Sequence, residues 1–262
     1  MSNVSDSAIH PTAVVSPLAQ IADDVVIGPG AIIEAGTSIG AGCSIGSNAL
    51  IASGANLAEN VTIHHGAVVG TAPQDLKFGG EETQLFIGSG TVVREYVTLN
   101  RGTKESGETR IGKNCLLMAY AHVAHDCQLG DEVIMANAVQ LGGHVHIEDH
   151  VIIGGSVPVH QFVHIGQHAM IGGGFRTVQD VCPYALAGGY PLKIAGLNLI
   201  GLRRRGFSRE AIKTLQKVYK LLFFSELNTS QAVERIKAEV EQSAEVKILL
   251  KFIEDSTRGL VK

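Results

Sequence analysis

Residues 111–171 read IGKNCLLMAYAHVAHDCQLGDEVIMANAVQLGGHVHIEDHVIIGGSVPVHQFVHIGQHAMI. In them an aliphatic residue returns at every sixth position: Ile111, Leu117, Val123, Leu129, Met135, Leu141, Ile147, Ile153, Val159, Ile165 and Ile171. The same phase runs back through Leu99, Val93 and Ile87, and again from Val69 to Ile9. Of the 28 positions from 9 to 171 in steps of six, only Asp75, Glu81 and Glu105 break it. A sandwich of alternating strands has variable spacing with turns every ~8–12 residues, and a fixed step of six contradicts that. On a helix of ~3.6 residues per turn the same step drifts round the cylinder. The pattern fits a parallel β-helix of hexapeptides, each a short flat strand with one aliphatic side chain inward, followed by a turn that often carries glycine, as at Gly28, Gly40, Gly46, Gly130, Gly166 and Gly172.

Composition agrees. Glycine occupies 31 of 262 positions, above the usual ~7% share, while aromatics are 5% and tryptophan is absent. Such a chain turns often and packs thin aliphatic layers. Net charge is −4, and Cys43, Cys115, Cys127 and Cys182 form neither a CxxC motif nor a dense framework, so a reducing cytoplasm is expected. Residues 1–7 carry no basic-then-apolar pattern and no apolar run approaches ~18 residues, so neither secretion nor membrane insertion is expected.

The hexad pattern resembles the hexapeptide acyltransferase superfamily, and that resemblance implies a left-handed, three-sided coil of about 18 residues. Residues 18 apart then stack in columns, one strand spacing of about 4.8 Å per coil. The breaks at 75, 81 and 105 become loops thrown out of the coil, roughly 75–86 and 103–110. Loops on a rigid scaffold are common places for binding residues.

After Thr177 the period stops, and Cys182-Pro183 and Tyr190-Pro191 mark a boundary. The pattern then becomes helical. Ser208 can cap a helix with Ile212, Leu215, Tyr219 and Leu222 on its apolar side. Residues 228–230 can cap a second with Val233, Ile236 and Val240, while Val246, Leu249, Leu250 and Ile253 suggest a third. The expectation is mainly β: a single-stranded left-handed parallel β-helix over 1–190 and a C-terminal α-helical domain over 191–262 that covers the end of the stack. Charge divides there too. Residues 191–262 hold 14 Lys+Arg against 8 Asp+Glu, whereas 1–190 hold 7 against 17. Arg203, Arg204, Arg205 and Arg209 suit a phosphate or an acidic partner, and the shortness of the basic cluster argues against nucleic acid.

Applied to the unbroken hexads, the column rule assembles three rows at one corner: Ala124, His125, Asp126; Gly142, Gly143, His144; and His160, Gln161, Phe162. Asp126 can orient the His125 ring, and an imidazole suits general-base work. Gly143 would stack over His125 and leave its N–H approachable as an oxyanion donor. Metal binding is the rival reading, with imidazoles from His122, His125, His144 and His160. His146 with His164, and His150 with His168, also fall in columns, as surface ladders by default. Cys127 reads as a small apolar filler.

Longer strings carry a more specific resemblance. Residues 73–77 (PQDLK), 100–103 (NRGT), 121–127 (AHVAHDC), 142–145 (GGHV), 159–162 (VHQF) and 204–208 (RRGFS) resemble the UDP-N-acetylglucosamine O-acyltransferase family over essentially the whole chain. That resemblance implies transfer of an (R)-3-hydroxyacyl group from acyl carrier protein to the 3-hydroxyl of UDP-N-acetylglucosamine, with no metal and no cofactor. It makes His125 the base, Asp126 its orienting carboxylate and Gly143 the oxyanion donor. His122, His144, His160 and Gln161 become contacts to the sugar nucleotide, and Asn198 and Arg205 contacts to its uridine phosphate end. Asp75 and Lys77 match a loop reaching the substrate from a neighbouring subunit, and Gly173 a position ending the acyl-chain groove. The family is a homotrimer whose basic helical end faces acidic acyl carrier protein. Asn100 and Ile200 depart from the family pattern, where histidine and glutamate are expected.

Three rival readings remain at this point. The related UDP-acylglucosamine N-acyltransferases carry a large extra domain before the hexads, which here start at Ile9. A purely structural solenoid predicts a repetitive Thr or polar face without a His-rich corner. A zinc anhydrase predicts bound metal.

Overall fold

The computed structural model describes residues 9–262, so the leader reading of 1–7 lies outside the described residues. The hexads wind into a three-sided prism built from three parallel sheets. The first face stacks strands from Val14–Val15 to Pro158–Val159, the second from Gln20–Ile21 to His164–Ile165, and the third starts at Val26–Ile27. Consecutive strands lie on consecutive faces, and like faces pair 18 residues apart, as in Val123 on Leu141 and Leu141 on Val159. The coil is left-handed.

Each hexad sends two side chains inward. One is the large aliphatic that sets the period; the other lies two residues earlier and is in most hexads smaller, as at Cys43, Ala49, Val61, Ala121, Cys127 and Val133, all buried. The two together fill the thin interior as one continuous apolar core. Cys127 is one of these fillers; its Sγ lies 3.2 Å from the Gly142 carbonyl, and burial pushes the thiol up to about 12.

From Ile27 to Ile171, outside the two loops, the third residue after each large aliphatic turns the corner with positive φ, whether it is glycine or, as at Asp126, His144 and Phe162, not. The turn glycines noted in the sequence mostly sit two residues before this point and serve close approach between coils. A Cβ on Gly112 would lie 2.1 Å from the Gly130 carbonyl oxygen.

The two breaks in the hexads are loops; the first is as long as the sequence suggested but starts three residues earlier, and the second is one residue shorter and starts two earlier. Residues 72–83 leave the coil after a register shift at Gly70, and the chain is back in strand by Gln84–Ile87. Residues 101–107 leave after Thr98–Asn100 and return at Glu108–Ile111. Across them the pairing steps become 30 residues (Leu57 to Ile87) and 24 (Ile87 to Ile111), two hexads and one hexad more than 18. Whole-hexad insertions are why the phase of six survives.

Beyond the last hexads the third face continues. Ala185–Gly188 adds in parallel to Met170–Ile171, and Lys193–Leu197 adds antiparallel to that. Four helices follow: α1 (Leu199–Arg204), α2 (Arg209–Phe223), α3 (Thr229–Glu239) and α4 (Ala244–Asp255). Ser208 Oγ accepts from Ala211 N at 3.0 Å, and Asn228 and Gln231 form a reciprocal capping box. The caps of α2 and α3 and the apolar sides of α2, α3 and α4 match the sequence reading; the Ser243 cap of α4 and the six-residue α1 do not appear in it. The helical end is fixed to the coil at buried Asp180, which accepts from His164 N at 2.8 Å and Ser256 Oγ at 2.6 Å, and by Tyr219, which donates to the Pro183 carbonyl at 2.5 Å. Among the described residues no helix is long and apolar enough to cross a membrane.

Candidate active site

The edge between the first and second faces carries the His-rich corner. His125, Gly143 and Gln161 share one column, with Asp126, His144 and Phe162 beside them. Backbone bonds from His144 N to the His125 carbonyl (3.0 Å) and from Phe162 N to the Gly143 carbonyl (3.1 Å) hold the rows in register. A Cβ on Gly143 would meet His125 Cε1 at 2.5 Å, so this glycine is what lets the ring lie against the next coil. Gly143 N–H has no hydrogen-bond partner among the described residues and remains free to donate.

His125 Nδ1 lies 2.7 Å from Asp126 Oδ2. The carboxylate is buried and takes three more bonds: Thr103 N to Oδ1 at 2.9 Å, Thr103 Oγ1 to Oδ2 at 2.8 Å, and Ser106 Oγ to Oδ1. Burial alone would raise its pKa, but the donors Ser106, His125 and Thr103 outweigh burial and hold it at about 2. An ionised carboxylate only accepts, so the His125 proton sits on Nδ1 and the Nε2 lone pair is left for a substrate. The His144 ring stands edge-on to His125 at 5.1 Å and stacks on Phe162 at 4.5 Å. Its Nε2 lies 3.3 Å from Glu105 and 3.6 Å from Asp126. His125, Asp126 and His144 are of metal-binding type and lie within 4.8 Å of one another. Asp126, however, already takes four hydrogen bonds, two on each oxygen, which favours an oriented base over a metal ligand.

A cleft of about 500 Å³ opens on this corner, walled on one side by His125, His144, Gln161 and Phe162 and on the other by the two loops. Asp75 and Lys77 line it from the 72–83 loop. Phe78, Lys104 and Glu105 also line it. The sequence reading missed these three, although the hexad breaks marked their loops.

The remaining expected residues fall elsewhere. His122 faces outward on the first face, its Nδ1 2.7 Å from Thr98 Oγ1; burial pushes its pKa below the ordinary value, with His125 nearby adding to the effect against the Thr98 bond. His160 starts the same corner, bonded through Nδ1 to the Gln161 carbonyl at 3.1 Å. Asn198 and Arg205 belong to the second edge. Buried Asn198 caps α1 and donates to the His168 carbonyl at 3.0 Å; Arg205 donates to Glu132 at 2.9 Å and to His150 Nδ1 at 2.6 Å. Gly173 stands on the third edge against Gly155. The two histidine columns are real: His146 stacks on His164 at 4.4 Å, and His150 on His168 at 4.6 Å.

Hexapeptide coils that bear an oriented imidazole at one edge place this chain among the hexapeptide-repeat acyltransferases. A family model described as bacterial transferase hexapeptide (six repeats) matches residues 108–143, and one described as UDP N-acetylglucosamine O-acyltransferase, domain 2, matches 180–261. The chain belongs to the UDP-N-acetylglucosamine O-acyltransferase family. It is 56% identical to the acyl-[acyl-carrier-protein]–UDP-N-acetylglucosamine O-acyltransferase of Trichlorobacter lovleyi over 97% of this chain and 99% of that one, and 45% identical, with the same coverage, to that of Thermodesulfovibrio yellowstonii. Among solved structures, the Bacteroides fragilis UDP-N-acetylglucosamine acyltransferase superposes with TM-score 0.96 at 42% identity, covering 97% of this chain and all of that one. The Acinetobacter baumannii structure gives 0.94 at 43% with the same coverage.

Proposed function

We propose that this chain transfers an (R)-3-hydroxyacyl group from acyl carrier protein to the 3-hydroxyl of UDP-N-acetylglucosamine, the first step of lipid A biosynthesis, with residues 1–190 carrying the chemistry. His125 Nε2 takes the proton from the sugar hydroxyl as its oxygen attacks the thioester carbonyl. Asp126 stabilises the imidazolium through Nδ1–H, and the Gly143 N–H donates to the oxyanion. Collapse breaks the C–S bond, and the proton passes from Nε2 to the leaving thiolate. The thioester supplies the activated acyl group, so this scheme uses neither metal nor cofactor. His122, His144, His160 and Gln161 hold the sugar nucleotide, helped by Asp75 and Lys77.

One observation carries the reading: the 2.7 Å His125–Asp126 bond directly beneath a free amide at Gly143. The dispersion of Asn198, Arg205 and Gly173 onto the other two edges supports a homotrimer in which one copy's His125 edge meets a neighbour's Arg205 and Gly173. Basic residues 191–262 suit docking of the acidic carrier protein. The four free, buried cysteines suit the cytoplasm. Mass spectrometry of the purified protein with (R)-3-hydroxyacyl carrier protein and UDP-N-acetylglucosamine tests the activity. An alkali-labile ester of the sugar nucleotide is expected, and an unmodified sugar nucleotide would remove the reading.

A further inference from the structure

Asp126 is held mainly by the loop 101–107, which breaks the hexad pattern. Three of its four hydrogen bonds come from that loop: Thr103 N and Oγ1, and Ser106 Oγ. Ser106 reaches the carboxylate from a residue that is otherwise exposed, and its Oγ also lies 2.8 Å from the Glu108 carbonyl. A hydroxyl has one proton, and the ionised carboxylate is the stronger acceptor, so the proton goes to Asp126 Oδ1. This fixes the rotation of the carboxylate. With Oδ1 tied to Ser106 and the Thr103 amide, Oδ2 is directed at His125 Nδ1.

We propose that Ser106 is a positioning residue for acyl transfer, holding Asp126 so that His125 keeps its proton on Nδ1 and offers Nε2 to the sugar hydroxyl. The proposal rests on the reading of His125 as the base. Ser106 touches neither substrate nor His125, and it acts only through Asp126. Without its hydroxyl, Oδ1 keeps a single donor, the carboxylate turns, and the ring relaxes toward the Nε2–H tautomer, in which the basic lone pair faces away from the substrate. Position 126 turns a corner, where the Thr109 hydroxyl accepts from the Asp126 N–H at 2.8 Å, and three of the four donors to the carboxylate come from the loop.

The test combines kinetics with the nitrogen NMR shifts of His125 in histidine-labelled protein. For Ser106→Ala the expected result is a fall in kcat of about tenfold, KM within twofold, and movement of His125 from Nδ1–H toward Nε2–H. Ser106→Thr, which retains the hydroxyl, restores both readouts. Unchanged kcat and tautomer in Ser106→Ala would overturn the proposal, as would a loss confined to KM or one that Ser106→Thr fails to restore. The two readings separate cleanly: turnover surviving in His125→Ala defeats the base assignment, whereas a dead His125→Ala beside an unaltered Ser106→Ala defeats only the role of Ser106.

Discussion

At the residue scale the site depends on one missing side chain. Because a Cβ on Gly143 would lie 2.5 Å from His125 Cε1, Gly143→Ala displaces the imidazole and crowds the oxyanion position together. The expected outcome is loss of kcat by about 10²-fold or more with circular dichroism and thermal midpoint little changed; wild-type turnover in that variant would contradict the packing described. His125, Asp126 and Gly143 were legible because all three sit in unbroken hexads, where residues 18 apart become neighbours by geometry alone. Thr103 and Ser106 were not. They reach Asp126 across 23 and 20 residues from a loop outside the repeat, and no periodicity reports where such a loop folds back. Arg205 was legible as part of a basic run and, through the resemblance, as a contact to the uridine phosphate end; its bonds to Glu132 and His150 depend on how the helical end is set on the coil.

At the element scale the coil is a stack of flat strands whose spacing is limited by the residue after each large aliphatic. Gly112 sits there, with a Cβ position 2.1 Å from the Gly130 carbonyl oxygen, so Gly112→Ala must separate two coils. Denaturant unfolding should show a loss of more than about 2 kcal/mol, against a small change for Gly79→Ala, whose nearest neighbour would be a Glu81 oxygen at 3.5 Å. Equal effects of the two would contradict this account of the turn glycines. Fully buried Leu117 supplies one inward layer, and Leu117→Ala should cost roughly 2–5 kcal/mol in the same measurement. The hexads, α2, α3 and α4 were visible because each has a strong period or cap. The hairpin of Ala185–Gly188 and Lys193–Leu197 was not, since ALAG and KIAGL carry neither a period of six nor clear alternation. Six-residue α1 is too short to show a helical stripe.

For the whole molecule, three edges carry three parts of the expected site, and the second edge also carries a pH sensitivity. Burial pushes His168 down to about 4, with the charges on His150 and Arg205 acting in the same direction. The folded value lies below the ordinary 6.5, so the unfolded chain takes up the proton first as pH falls. Stability from this residue is complete above pH 6.5 and lost between 6.5 and 4, by roughly 2–3 kcal/mol at pH 4.5. Denaturant unfolding at pH 7 and 4.5 should show that slope, and His168→Phe should flatten it; an unflattened slope would locate the sensitivity elsewhere. The division of the site among edges predicts complementation. His125→Ala and Arg205→Ala, each inactive alone, should regain about a quarter of wild-type activity when unfolded and refolded together at equal amounts, because each site then draws on two copies. No recovery would place the site within one chain. The most direct measurement of the central claim is turnover of acyl carrier protein thioester by His125→Ala, made beside circular dichroism and solution size. The account predicts acyl transfer abolished with fold and assembly unchanged; transfer near the wild-type rate would show that some other group takes the sugar proton.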